Sequence, residues 1–153
     1  MTNLTARDRR ATVALASVGQ RQLWMHDRLF AHDGSYNILL GVRLIGALDE
    51  AALERALNLV IARHEPLRTT FSLEDDDVHQ VIADTLEVSL PVVRIQAARD
   101  EDVWAQLHEA LERDGARPFD LAAGPLMRPT LYRVDATTHA LTLILHHTVF
   151  DGW

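Results

Sequence analysis

Apolar positions recur three and four residues apart in three stretches of this chain and gather into short runs between them. The first helical stretch runs through Gln20, Leu23, Trp24 and Leu29, with Ser17 placed to cap it and His32-Asp33-Gly34-Ser35 to break it. In the second, Ala52, Leu53, Ala56, Leu57, Val60 and Ile61 share one face behind a capping Asp49. Pro66 disfavours helical geometry at Glu65, so this helix ends near Arg63 or His64. The third covers residues 100–114, with Val103, Leu107, Ala110 and Leu111 on its apolar stripe and Gly115 after its end.

The runs between these helices are rich in Ile, Leu and Val and predict strands. They fall at 36–45, 67–73, 78–83, 92–95, 126–134 and 140–147. Glu74-Asp75-Asp76-Asp77 is an acidic turn, and Asp135-Ala136-Thr137-Thr138 closes the last two strands into a hairpin. A loop over 116–125 is punctuated by Pro118, Gly124 and Pro125. Residues 1–16 read as a lead-in and 17–153 as one lobe, without repeat, low-complexity tract or internal linker. The expected fold is α+β, a mixed β-sheet with helices packed on it.

Composition narrows the function classes. At 153 residues the chain is one domain's worth, and its 48% hydrophobic fraction suffices for a core without staples. The absence of cysteine excludes disulfides and thiolate chemistry and suits a reducing, cytoplasmic setting. A formal charge of −7 argues against nucleic acid and anionic membrane surfaces as partners. No apolar run approaches a membrane span, and the polar start around Arg7, Arg9 and Arg10 lacks a signal-type core.

Chemistry concentrates at the end, in His146-His147-Thr148-Val149-Phe150-Asp151-Gly152-Trp153. Strand side chains alternate faces, so Leu141, Leu143, Leu145 and His147 share one side and Thr142, Ile144 and His146 the other. The two imidazoles therefore point apart and are poorly placed to bind one metal ion, and no further ligands are spaced to complete a zinc site. One histidine is free to work in a cleft while the other locks the strand end. Asp151-Gly152 is also a common turn pair that could simply shape the bend. Upstream, Arg63-His64-Glu65-Pro66-Leu67-Arg68-Thr69-Thr70-Phe71 packs charge into a helix-to-strand junction. Ser17 to Trp24, and Arg117-Pro118-Phe119-Asp120-Leu121 with Gly124-Pro125-Leu126-Met127-Arg128, complete the set.

Together these segments resemble the condensation domains of nonribosomal peptide synthetases. That family's signature, two histidines, three residues, then Asp-Gly, stands here as His146-His147 and Asp151-Gly152, with Trp153 behind it. Its pattern Arg-His-Glu-x-Leu-Arg-Thr-x-Phe is met in full by residues 63–71. Its opening pattern is met by Ser17, Gln20, Leu23 and Trp24, while Gly19 replaces an alanine and Gln22 an arginine. The resemblance runs from about residue 13 onward, in the order of the family's motifs.

The resemblance implies the N-terminal lobe of a fold like chloramphenicol acetyltransferase, in which two lobes form a V around a tunnel. It implies amide formation between donor and acceptor thioesters held on the phosphopantetheine arms of peptidyl carrier domains, with no cofactor bound directly. His147 would be the catalytic residue, and His146, Asp151, Gly152, Arg63 and Arg68 would support it. Asp151 would pair with Arg68 or, second, Arg63. The implied partners are both carrier domains, a C-terminal lobe and an adjacent adenylation domain. A lobe standing alone would be inactive and would associate with itself through its uncovered face. An epimerization domain, a coenzyme A-dependent acyltransferase and a non-catalytic carrier-docking module are the alternatives.

Overall fold

The computed structural model describes residues 11–30, 34–95 and 100–151. The three expected helices are present with their caps or stripes. Helix α1 (Val18–Leu29) begins with a reciprocal box: the Ser17 hydroxyl accepts from the Gln20 amide, and the Gln20 side chain accepts from the Ser17 amide. Helix α2 (Glu50–Arg63) is capped by Asp49, whose carboxylate accepts from the Ala52 amide. Helix α3 spans Asp100–Gly115.

Among the described residues, seven strands form two sheets. Strands β1 (Thr12–Leu15), β3 (Thr69–Glu74) and β4 (Asp77–Ile82) make an antiparallel sheet in the order β1-β4-β3. Strands β2 (Asn37–Ile45), β5 (Val92–Arg94), β6 (Met127–Arg133) and β7 (Thr138–His146) make the second, in the order β2-β7-β6-β5. Of these described pairs only β5–β6 is parallel, with α3 in the crossover between the two strands.

Three expectations change. The expected mixed sheet is present as β2-β7-β6-β5, and a second sheet is added to it, because the Asp75-Asp76 turn, both residues at positive φ, folds β3 back on β4 locally, and β1 completes that ladder. A backbone bond from the Phe71 amide to the Leu121 carbonyl, at 2.8 Å, ties β3 to the loop that leads into β6. The lead-in contains β1, whose side chains are all exposed, so no alternation marks it in the sequence. The strand expected from Leu67 begins only at Thr69, after a 3₁₀ turn over Glu65–Arg68 that Pro66 starts without needing an amide proton. His32 and Asp33, expected to break α1, lie outside the described residues.

The strand β7 is central in the second sheet and is covered on both faces. Leu141 and Leu145 pack with Leu131 and Met127 beneath α2, where Leu53, Leu57 and the fully buried Ile61 face them. Ala140 packs with Tyr132 on the opposite face, under Val103, Leu107 and Ala110 of α3. Ile144 joins Trp24, Phe71, Phe119, Leu126 and Val149 in the cluster that unites α1 with both sheets. The result is an α+β lobe whose best-anchored strand ends at the two histidines.

Candidate functional site

Backbone pairing holds both histidines from two sides. The His146 amide donates to the Leu126 carbonyl at 3.0 Å, and the His147 amide donates to the Tyr36 carbonyl at 2.9 Å. The Val149 amide then returns to the His146 carbonyl at 3.1 Å and tightens the turn.

The two rings stand in opposite chemical states. His146 is 3% exposed. Its Nδ1 accepts from the Thr148 amide at 3.3 Å and lies 2.8 Å from the Thr148 hydroxyl. A neutral ring that accepts at Nδ1 carries its proton at Nε2. Burial lowers its pKa from 6.5 to about 4; the negative charge of Asp27 pulls it up, and His147 pushes it further down. His147 is only half-buried. Its Nδ1 lies 3.0 Å from the Phe150 carbonyl oxygen, which can only accept. The proton of a neutral His147 is therefore on Nδ1, and the Nε2 lone pair is its basic site.

Side chains from distant segments brace this turn. Gln20 Nε2 donates to the Thr148 carbonyl at 3.2 Å and to Gln80 Oε1 at 3.1 Å, tying α1 and β4 to it. Phe119 sets its ring edge-on to His146 with centroids 6.2 Å apart, and the Arg128 guanidinium lies 3.8 Å from the Phe119 centroid. Arg128 also donates to the carbonyls of Asp114, Arg117 and Pro118, and Asn37 Nδ2 donates to those of Gly115 and Arg117. These two side chains clamp the end of α3 against β2 and β6. Desolvation and the like charge of Arg117 lower the Arg128 pKa, while the carboxylate of Asp114 raises it.

Of the predicted supporting residues, Arg68 is largely buried just before β3. It donates to the Ala83 carbonyl and lies 3.6 Å from Glu65. It lines an open groove of about 730 Å³ with Thr69, Thr70, Ala83, Leu86 and Gly124. Gly124 has φ +61°, and a Cβ there would stand 2.9 Å from the Thr70 methyl, so both backbone and space require glycine. Arg63 is exposed at the end of α2, and Asp151 is exposed just past the turn. Gly152 lies outside the described residues. Among the described residues no group of three or more His, Cys, Asp or Glu could hold a metal ion.

Sequence reasoning named Gln20 and Arg128 within motifs but gave neither this bracing role. Asn37 it missed altogether. The signal for Asn37 is its register opposite His146 across β2 and β7, which no local pattern reveals.

Comparison with known proteins places the chain. The family model described as Condensation domain matches residues 10–153. A linear gramicidin synthase polypeptide of Brevibacillus parabrevis is 42% identical over 137 residues, which cover 90% of this chain and 2% of that protein. Phosphinothricin tripeptide synthetase PhsC of Streptomyces viridochromogenes is 36% identical over 137 residues, covering 90% of this chain and 13% of that protein. The crystal structure of the starter condensation domain of rhizomide synthetase RzmA superposes with a TM-score of 0.80 at 30% identity, over 92% of this chain and 34% of that one. The chain thus spans a small part of these curated relatives and about a third of the solved structure.

Proposed function

Because the chain belongs to the Condensation domain family over residues 10–153, we propose that it is the histidine-bearing N-terminal lobe of an amide-forming acyltransferase. Two thioesters on the phosphopantetheine arms of carrier domains are its substrates. The amine of the acceptor attacks the donor carbonyl, the carbon–nitrogen bond forms, and the carrier thiol leaves.

The observation that carries this reading is the division of labour between the rings. His147 keeps solvent access and an Nε2 lone pair, while His146 is neutral and enclosed. An α-amino group titrates at about 7.7–8.0 and a thioester is already activated, so no strong base is needed. His147 Nε2 orients the amine and takes its proton as the tetrahedral adduct forms. A positioned acid–base group contributes about 10²–10⁴-fold, whereas orientation contributes roughly 7–11 kcal/mol. The second wall of the tunnel, supplied by a C-terminal lobe, therefore outweighs the histidine. Asp151, paired with Arg68 or Arg63, fixes the turn, and Gly152 gives the backbone its closest approach to substrate. An adenylation domain beside the lobe loads the acceptor carrier.

With a complementary lobe and both loaded carriers, the dipeptidyl thioester should form. His147→Ala should slow it by about 10²–10⁴-fold. The chain without that lobe should give no product above the uncatalysed rate. A full rate in the His147→Ala enzyme removes the histidine from the mechanism, and a His147-dependent rate from the chain alone makes one lobe sufficient.

A further inference from the structure

Behind the buried histidine lies a cavity of about 10 Å³, the room of a single water molecule. His146, Asn37 and Asp27 are part of its wall. Asn37 and His146 are direct cross-strand partners, so their side chains are neighbours on one face. Asn37 brings an unanswered requirement. The Asn37 amide is held by two donated bonds, from Nδ2 to the Gly115 carbonyl at 2.6 Å and to the Arg117 carbonyl at 2.8 Å. That fixes which end is oxygen, and Oδ1 is left buried without a protein donor. An acceptor buried in that way loses its hydration without return. His146 uses Nδ1 for Thr148, which puts its proton on Nε2 as a donor, and the ring lines the cavity. Asp27 adds a carboxylate that acts on the same ring.

We propose that this cavity holds one ordered water that joins His146, Asn37 and Asp27, and that Asp27 is through it a positioning residue for the turn that presents His147. The water accepts from His146 Nε2–H and donates one hydrogen to Asn37 Oδ1 and the other to the Asp27 carboxylate. Three bonds are the usual complement of a buried water. The arrangement selects one tautomer of His146. With the proton at Nε2, Nδ1 is free to accept from the Thr148 amide. With the proton at Nδ1, that amide loses its acceptor and the turn loses its first tie. Helix α1 then reaches the turn twice, directly through Gln20 and through Asp27 by way of the water.

The consequence for catalysis rests on the reading of His147 given above, so the first measurements are independent of catalysis. In the ¹⁵N-labelled chain, the imidazole shifts of His146 should report the Nε2–H tautomer. An atomic-resolution crystal structure should show a water within hydrogen-bonding distance of all three groups. Asp27→Asn keeps an acceptor and should keep the tautomer, whereas Asp27→Leu should give a mixture. A wild-type Nδ1–H tautomer, a dry cavity, or an unchanged tautomer in Asp27→Leu each overturns the relay, and the first two decide it even where Asp27→Leu does not fold. In the full-length synthetase, Asp27→Leu should lower kcat about tenfold or more at constant KM, with Asp27→Asn restoring most of it. An unchanged kcat in Asp27→Leu overturns the positioning role. A synthetase indifferent to His147→Ala overturns the catalytic reading instead and leaves the water and tautomer results standing.

Discussion

Two histidines joined by one peptide bond carry opposite tautomers here, and their surroundings alone account for it. His146 gives its Nδ1 to an amide and is enclosed, while His147 gives its Nδ1 proton to a carbonyl and keeps partial solvent access. The enclosed ring makes stability depend on pH. Its folded pKa of about 4 lies below the ordinary 6.5, so between those values the unfolded chain binds a proton that the folded chain refuses. The stabilisation is complete above about pH 6.5 and is lost as pH falls towards 4, at most roughly 3 kcal/mol. Asp27 and His147 act on the ring with opposite sign and set the remainder. Urea unfolding of the wild type and of His146→Asn should show this: the stability difference between them narrows from pH 7 to pH 4.5. A difference that stays constant would mean that the ring titrates normally in the fold. The sequence pointed to the pair and, by alternation, to their separate faces. It held no sign of Asn37, because its part comes from a register set about a hundred residues away in the chain.

Among the elements, α1 shows how one side chain can serve two structures. Gln20 closes the capping box with its Oε1 and reaches the histidine turn with its Nε2. Gln20→Glu retains the acceptor and discards the donor. It should keep the helix, release the Thr148 carbonyl, and cost about 1–3 kcal/mol for the unsatisfied groups. Faster amide exchange across residues 147–149 with unchanged exchange in α1 is the expected pattern; equal acceleration in both would mean that the cap had failed. The legible elements were those that announce themselves locally. Ser17 and Asp49 caps, the α2 stripe and the Asp135 hairpin all follow from neighbours within a few residues. β1 escaped because an exposed edge strand has no buried face to alternate against, and the partition into two sheets escaped because strand propensity does not specify partners. The start of β3 shifted by a similar logic: Leu67 looks like strand, but Pro66 makes a tight turn cheaper there.

In the whole molecule, exposed apolar side chains gather along α1 at Val18, Met25, Leu29 and Phe30 and along the open edge strand at Val42 and Ile45. A lobe with this much uncovered apolar surface should associate at high concentration, and sedimentation that stays monomeric throughout would show those faces to be tolerated by water. The central position of β7 has a consequence in time. Among the described strands β2 has β7 as its ladder partner, and its register runs from Ile45 opposite Thr138 to Asn37 opposite His146. On the ribosome, β2 therefore emerges long before the strand that completes it, and contacts of such separation form slowly. Until residues 138–146 appear, both edges of β2 are open to any other extended chain. A nascent chain stalled at residue 137 should be cleaved readily by protease within β2, and one carrying residues 138–146 clear of the exit tunnel should be protected. Synthesis of the two histidines and closure of the sheet then become one event: neither imidazole can be exposed on a half-built lobe, because the strand that delivers them is also the one that zips the sheet shut.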